Sequence, residues 1–279
     1  MGRRRRFVAQ IYFDFSGYSD MAVGLGLLFN YRLPLNFAAP LRSTNLADFW
    51  RRWHITLSRF LRDFVYVPLG LGRPGPVRRS LNLLVTMLIG GIWHGAGWTF
   101  VVWGAIHGVL LLLTLIWQKL IGPVHPSKAQ QFFGWLLTFR VFVFAAVFFR
   151  ATDIGAAWHL VRAMAGFGDH VAAMGHAQFD DWMIHHGYLS DTFANIWIGA
   201  TWSMAGTMAV VAALAVALLV PDTMEIVGYK EGEAQSDWRR PVGFLAWRPT
   251  MAWLRPVAAM AVAVLINLGQ VSEFLYYQF

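Results

Sequence analysis

The sequence LNLLVTMLIGGIWHGAGWTFVVWGAIHGVLLLLTLIW, residues 81–117, decides the fold of this chain, because no Asp, Glu, Lys or Arg occurs between Arg79 and Lys119. About 20 apolar residues are needed to cross the hydrocarbon part of a bilayer, so this stretch is long enough to cross it twice. We therefore predict a transmembrane hairpin, with one helix over residues 81–98 and a second over residues 99–117.

The composition agrees with a membrane protein. Of the 279 residues, 57% are hydrophobic and 14% are charged, whereas soluble domains are about 25% charged. Further apolar helices are predicted over residues 7–29, 134–149, 196–220 and 253–268. The predicted fold is an all-α, polytopic transmembrane protein with about five to six spans in one membrane domain over residues 1–279. The absence of cysteine excludes disulfides and thiolate metal sites.

The distribution of charge predicts how the chain lies in the membrane. Residues 32–79 contain nine arginines and two aspartates, so this region is expected in the cytoplasm. Residues 151–195 contain five aspartates and one arginine, so this region is expected outside. The net charge of +8 therefore reflects cytoplasmic loops between apolar helices, and nucleic acid is not expected as a partner.

An amphipathic helix is predicted within the arginine-rich region, over residues 45–65, where apolar side chains recur every three or four positions. Asn45 is expected to cap its start, and His54 falls on its apolar side. Two ion pairs with i,i+4 spacing are expected, Asp48–Arg52 and Arg59–Asp63. Two interpretations stay open: an interfacial anchor on anionic lipid, or arginines that bind an anionic ligand such as the phosphates of a coenzyme.

His94 is the main candidate for a functional residue. An ionisable side chain within an apolar span is costly to bury, and histidine is suited to proton transfer near neutral pH. The glycines around it would permit close helix packing or the passage of a substrate. A structural hydrogen bond to a neighbouring helix is the alternative. His107 is a second, weaker candidate in the following helix, and the remaining histidines show no ligand spacing that predicts a metal site.

Four ordered motifs resemble the membrane-bound O-acyltransferase family, and in particular its bacterial alginate and polysaccharide O-acetyltransferases. The motifs are YFDFSGYSD at 12–20, FWRRWHITLS at 49–58, RDFVY at 62–66 and GIWHG at 91–95. FFRA at 148–151 and the ending FLYYQF at 274–279 also resemble that branch.

The resemblance implies a catalytic role for His94 and a second site role for His54, on the cytoplasmic side of a tunnel. Five further residues within the motifs are candidates for substrate binding: Asp14, Ser16, Arg52, Trp53 and Trp93. The implied acyl donor is acetyl-CoA, with no resident cofactor and no metal. The implied partners are a periplasmic acetyltransferase, a polysaccharide biosynthesis complex and the lipids of the bacterial inner membrane.

Members of this family are typically longer, so the chain is expected to correspond to the C-terminal part of the family's core, without its N-terminal half. Three alternatives stay open beside polysaccharide acetylation. They are D-alanyl transfer to a cell-wall polymer, a non-catalytic fragment, and a transporter in which intramembrane histidines relay protons. Inverted repeats would favour the transporter, and none is visible in the sequence.

Overall fold

A computed structural model describes residues 7–70, 75–121, 126–164, 204–229, 246–247 and 250–267 of the chain. All regular secondary structure within these residues is helical, which confirms the predicted all-α fold. The α-helices are α1 Phe7–Leu28, α2 Leu46–Arg52, α3 Ile55–Leu61, α4 Pro76–His94, α5 Trp98–Ile121, α6 Lys128–Arg150, α7 Ile154–Met164, α8 Met204–Leu219, α9 Thr223–Val227 and α10 Met251–Asn267.

The predicted hairpin is present as α4 and α5, which pack against each other more extensively than any other pair of described helices. Their close approach depends on two glycines. A Cβ atom at Gly91 would collide with the carbonyl oxygen of Phe100, and one at Gly104 would collide with the carbonyl oxygen of Met87. The two backbones therefore touch directly beside His94, as the small residues in the sequence predicted.

Two of the described helices are long and apolar enough to cross a membrane. They cover residues Trp98–Leu120 and Lys128–Arg150, with mean hydropathies of 2.2 and 2.0. About a third of each apolar window is buried, 33% and 39%, so most of it forms an apolar outer surface suited to lipid or to other transmembrane helices. The larger number of spans expected from the sequence, and the orientation in the membrane, stay predictions.

The amphipathic segment differs from the prediction of one continuous helix. Asn45 caps α2 as expected, with its side chain accepting a hydrogen bond from the amide of Asp48 at 2.8 Å. The helix then breaks at His54, whose φ of 45° is left-handed, and after α3 a π-helical turn covers Arg62–Tyr66. On the two sides of the break, Trp50 packs against Trp103 of α5 and His54 packs against Phe15 of α1.

One of the two predicted ion pairs of this segment is confirmed, and Asp63 of the second pair also binds its neighbour Arg62. Arg52 Nε lies 3.0 Å from Asp48 Oδ2, as expected. Asp63 pairs with Arg62 at 2.7 Å. This hydrogen bond and, to a smaller extent, the charge of Arg59 lower the pKa of Asp63, and the predicted pair of Asp63 with Arg59 stays a prediction.

The remaining described helices surround this centre. Helix α6 begins with a capping box between Ser127 and Gln130 and packs on α5. Helices α8 and α9 are joined to the 40–42 turn through Arg42, which donates to the carbonyl of Val220 and pairs with Glu225 at 3.3 Å. The outer region predicted at 151–195 is described as far as 164, and the motif at 274–279 lies outside the described residues.

Candidate active site

His94 is the last residue of α4, and the half-buried imidazole is surrounded by aromatic rings. The ring centroids of Trp93, Trp103 and Phe149 lie 5.0, 5.1 and 4.9 Å from that of His94, all in edge-to-face arrangements. These rings pack around the imidazole. In the part of the chain that the structure describes, neither ring nitrogen of His94 has a hydrogen-bond partner. The imidazole is thus held in place without its nitrogens being occupied.

A cavity of about 30 Å³ lies beside His94, which is room for one small polar group or one water. Both His94 and His107 line this cavity, so the structure brings two of the predicted histidines together. Most of the remaining lining is aromatic and comes from the α2 region, α5 and α6: Phe49, Trp50, Trp53, Trp103, Phe142 and Phe149.

His107 lies deeper than His94 and is 1% exposed. Its ring contacts Trp103 at 4.7 Å and Trp50 at 5.2 Å. Among the described residues, His107 Nδ1 and Trp50 Nε1 are both buried without a hydrogen-bond partner. An unpaired buried N–H or imidazole nitrogen costs about 1–3 kcal/mol, so two of them at one cavity call for an explanation.

His54 is held in a different way, by a hydrogen bond between its Nδ1 and Asn36 Oδ1 at 3.1 Å. The same oxygen accepts from the Thr56 hydroxyl at 2.8 Å and from the Thr56 amide at 3.3 Å. A backbone N–H can only donate, so Oδ1 is the acceptor and His54 Nδ1 carries the proton. This arrangement leaves Nε2 of His54 as the basic nitrogen.

Burial is the main physical influence on His54, which lies between two short helices outside the candidate spans. Loss of hydration, with a smaller effect of the nearby His94, lowers the pKa of His54 from its ordinary 6.5 to about 3. His54 is therefore neutral at physiological pH.

Trp93 contacts both predicted catalytic histidines, because its ring centroid lies 6.1 Å from that of His54 and 5.0 Å from that of His94. His54 is not among the residues that line the cavity beside His94. The structure therefore places Trp93 between His54 and His94, and the two histidines do not line one common cavity.

Trp53 and Arg52 are neighbours in sequence with different surroundings. Trp53 is buried in an aromatic cluster, stacked on Phe49 at 5.6 Å, and lines the cavity beside His94. Arg52 pairs with Asp48 and also donates to the carbonyl oxygen of Ala38 at 3.4 Å, which ties α2 to the preceding loop. Arg52 therefore has contacts within the protein. The two interpretations of the arginine-rich segment, a lipid anchor or a site for an anionic ligand, stay predictions.

Ser16 and Asp14 lie on α1, away from the cavity beside His94. Ser16 lines a second cavity of about 190 Å³ between α1 and the α8–α9 region, together with Asp20 and Asp222. Asp14 is half-buried and lines neither of the two cavities. The proposed substrate-binding roles of these two residues stay predictions.

Asn36 and Trp50 contact His54 and His107, respectively, without belonging to any predicted set of site residues. Asn36 lies in a loop with no periodicity, and only its contact with His54, 18 positions away, gives it importance. Trp50 falls within the apolar stripe of residues 45–65, and no sequence signal distinguishes a tryptophan with an unpaired N–H from one that only fills space.

No group of three or more possible ligands for a metal ion is present among the described residues. His159, within the outer region, is exposed on α7. His125, His170, His176, His185 and His186 lie outside the described residues.

Comparison with known proteins adds to this geometry. The sequence profile of MBOAT, the membrane-bound O-acyltransferase family, matches residues 6–152, which contain both cavity histidines and His54. The match thus covers the hairpin, the broken amphipathic segment and α6.

Among individual relatives, the chain is similar to the peptidoglycan O-acetyltransferase of Helicobacter pylori, with 47% identity over 157 residues, covering 56% of this chain and 30% of that protein. It is similar to the probable alginate O-acetylase AlgI of Pseudomonas aeruginosa, with 44% identity, covering 58% of this chain and 30% of that protein. The teichoic acid D-alanyltransferase of Streptococcus thermophilus is 28% identical, covering 50% and 38%. The aligned part spans about a third of the length of these curated relatives.

Proposed function

The chain belongs to the membrane-bound O-acyltransferase family, and from this premise we propose that it moves an acetyl group from acetyl-CoA to an acceptor hydroxyl, on the way to the hydroxyl groups of an extracellular polysaccharide. The observation that carries the proposal is the imidazole of His94, held by aromatic rings at the edge of a cavity with its nitrogens unoccupied by described residues. A general base needs this combination of fixed position and available lone pair.

In the proposed reaction, His94 takes the proton of the attacking hydroxyl as its oxygen bonds to the thioester carbon. The tetrahedral intermediate then collapses, the carbon–sulfur bond breaks, and the protonated imidazole returns the proton to the leaving thiolate. The products are an O-acetyl ester and free coenzyme A. The aromatic walls limit water at the reacting carbon, which protects the thioester from hydrolysis.

His54 and its neighbours are assigned to the donor side. Its neutral imidazole, with Nδ1 bound to Asn36, offers Nε2 to orient the donor, and Trp93 connects it to His94. The names of the similar proteins support an O-acyl acceptor on a cell-surface polymer. The proposal includes a multi-pass location in the bacterial inner membrane and hand-over to a periplasmic acetyltransferase within a polysaccharide biosynthesis complex.

The test replaces His94 by Ala and by Gln in the native host, followed by mass spectrometry of the surface polymers. Both variants should leave the polymer unacetylated while the protein stays in the membrane at the parent's level. His159→Ala, an exposed histidine on α7, is the matched control and should acetylate normally. Normal acetylation by His94→Ala would contradict the proposal. If the variants lost D-alanyl esters and kept acetyl esters, the transferred group would be D-alanyl, as in the teichoic acid D-alanyltransferases.

A further inference from the structure

The cavity beside His94 contains two nitrogens that the proposed base does not account for. Trp50 is 9% exposed and His107 is 1% exposed, and both line this cavity. Within the described residues, Trp50 Nε1 and His107 Nδ1 have no hydrogen-bond partner. Burial without a partner is unfavourable, and phenylalanine would fill either position without leaving a polar atom.

The chemistry of the two nitrogens limits what can bind between them. An indole N–H can only donate, and His107 also donates when its proton is on Nδ1. The rest of the lining is apolar apart from His94. A water molecule would accept both hydrogen bonds, but it also has two O–H groups to donate. His94 is the one other polar residue of the described lining, so one O–H group would have no acceptor. A carbonyl oxygen only accepts, so it is satisfied fully by the two donors.

We propose that Trp50 Nε1 and His107 Nδ1 bind the carbonyl oxygen of the acyl thioester and stabilise the negative charge that forms on it during transfer. This inference rests on the proposed function, and it assigns a binding site to two residues within the same cavity. His94 lines the same cavity, so a carbonyl carbon attached to the bound oxygen is within the space that His94 borders. As the hydroxyl oxygen bonds to that carbon, the carbonyl electron pair moves to the bound oxygen and returns when the carbon–sulfur bond breaks.

Binding of two unreactive CoA analogues tests the site without requiring turnover. Acetyl-dethia-CoA keeps the carbonyl but replaces the sulfur by CH2, and ethyl-CoA keeps the sulfur but lacks the carbonyl. The parent should bind the carbonyl analogue about tenfold more tightly, since one good hydrogen bond to a developing or polar oxygen is worth about a factor of ten. Trp50→Phe and His107→Phe should lose this preference, whereas His107→Asn, whose amide N–H replaces Nδ1–H, should keep part of it.

Trp135→Phe is the matched control. Trp135 Nε1 donates to the carbonyl oxygen of Leu41 at 2.8 Å and lies outside the cavity. This variant should lower the melting temperature by about 2–4 °C, because a satisfied hydrogen bond is lost, and keep the analogue preference. Trp50→Phe should show the reverse: an unchanged or higher melting temperature and no preference.

Turnover gives the second readout. Trp50→Phe and His107→Phe should each lower kcat for acetyl transfer by about 100-fold, the effect of removing one donor to an oxyanion. KM for acetyl-CoA should rise by about tenfold at most, the binding preference that the lost hydrogen bond supplied. An equal preference for the carbonyl analogue in parent, Trp50→Phe and His107→Phe would overturn the inference and leave the His94 proposal intact. Failure of the parent to bind either analogue would overturn the proposed function itself.

Discussion

His54 and His94 are the same side chain in two opposite surroundings, one polar and one aromatic. His54 is attached to the oxygen of Asn36, which also binds Thr56, so its orientation and its protonated nitrogen are both determined. His94 is enclosed by Trp93, Trp103 and Phe149, which determine its position alone. The proposed division of roles agrees with this difference: an imidazole that exchanges protons needs an available nitrogen, while one that orients a ligand benefits from a single tautomer.

The largest effect is expected from disturbing the packing that supports the aromatic side of this comparison. Gly91→Ala should destabilise the protein by about 3 kcal/mol or more, because the new Cβ meets the backbone of Phe100, which cannot give way as a side chain can. The folded fraction after detergent extraction, measured by fluorescence-detected size-exclusion chromatography, reports it. Gly97→Ala is the control, since its Cβ would be 3.5 Å from the nearest atom of Phe100. Equal folded fractions for the two variants would contradict the close contact of α4 and α5.

A smaller effect is expected when the imidazole of His54 is removed by substitution with a residue that can adopt the same backbone conformation. His54→Asn keeps a donor for Asn36 and tolerates a φ of 45°, but it lacks the Nε2 lone pair. We expect acetyl transfer to fall about 100-fold, within the range for loss of one positioned acid–base or hydrogen-bonding group. The rate in isolated membranes with labelled acetyl-CoA measures this, with protein level as the control. A parent-like rate would show that His54 serves structure alone.

The next prediction concerns the residue that orients His54. Asn36→Leu removes the acceptor for three donors, and activity should fall about tenfold through a mobile imidazole, as for other residues that orient a functional histidine. Asn36→Asp keeps the acceptor and adds a charge, so it should retain more activity and raise the pKa of His54. Comparison of the two rates, measured at several pH values, separates tautomer control from simple packing. Identical pH profiles for both variants would argue against it.

The smallest effect is a pH dependence of stability that comes from the polar side of the comparison. The pKa of His54 is about 3 in the folded protein and 6.5 ordinarily, so below pH 6.5 the unfolded state binds a proton that the folded state does not. The contribution of neutral His54 to the free energy of unfolding is therefore fully present above pH 6.5. It is lost at about 1.4 kcal/mol per pH unit as the pH falls toward 3. Thermal unfolding between pH 7 and 5 measures the slope. His54→Asn should flatten it, and an unchanged slope would assign the effect to other groups.

The sequence was sufficient to predict the all-α fold and the hairpin that carries the proposed base. The apolar run around His94 predicted the α4–α5 hairpin, and the small residues predicted its close packing, because both depend on composition along one segment. Asn45 and Asp48 likewise gave the start of α2 from local hydrogen-bonding rules. The local pattern did not predict the break at His54, where a left-handed residue interrupts a regular apolar stripe.

The remaining site residues depend on contacts between distant segments. Asn36 lies in a loop and is important because of its contact with His54. Trp50 and His107 are 57 positions apart, and their unpaired nitrogens become notable when α2 and α5 pack together. Such relations have no periodic signal, so only a three-dimensional structure reveals them.

The contacts of Arg42 with Val220 and Glu225 have a practical consequence for the design of shortened proteins. The family match ends at residue 152, yet Arg42 reaches past it to Val220 and Glu225. A product cut at 152 would leave the Arg42 guanidinium, which is 29% exposed in the intact fold, without Glu225. It would also lack Met224, which packs with Val23 and Leu35, and so would expose these two apolar side chains. Truncations meant for crystallisation or cryo-microscopy should therefore retain the chain to at least residue 229.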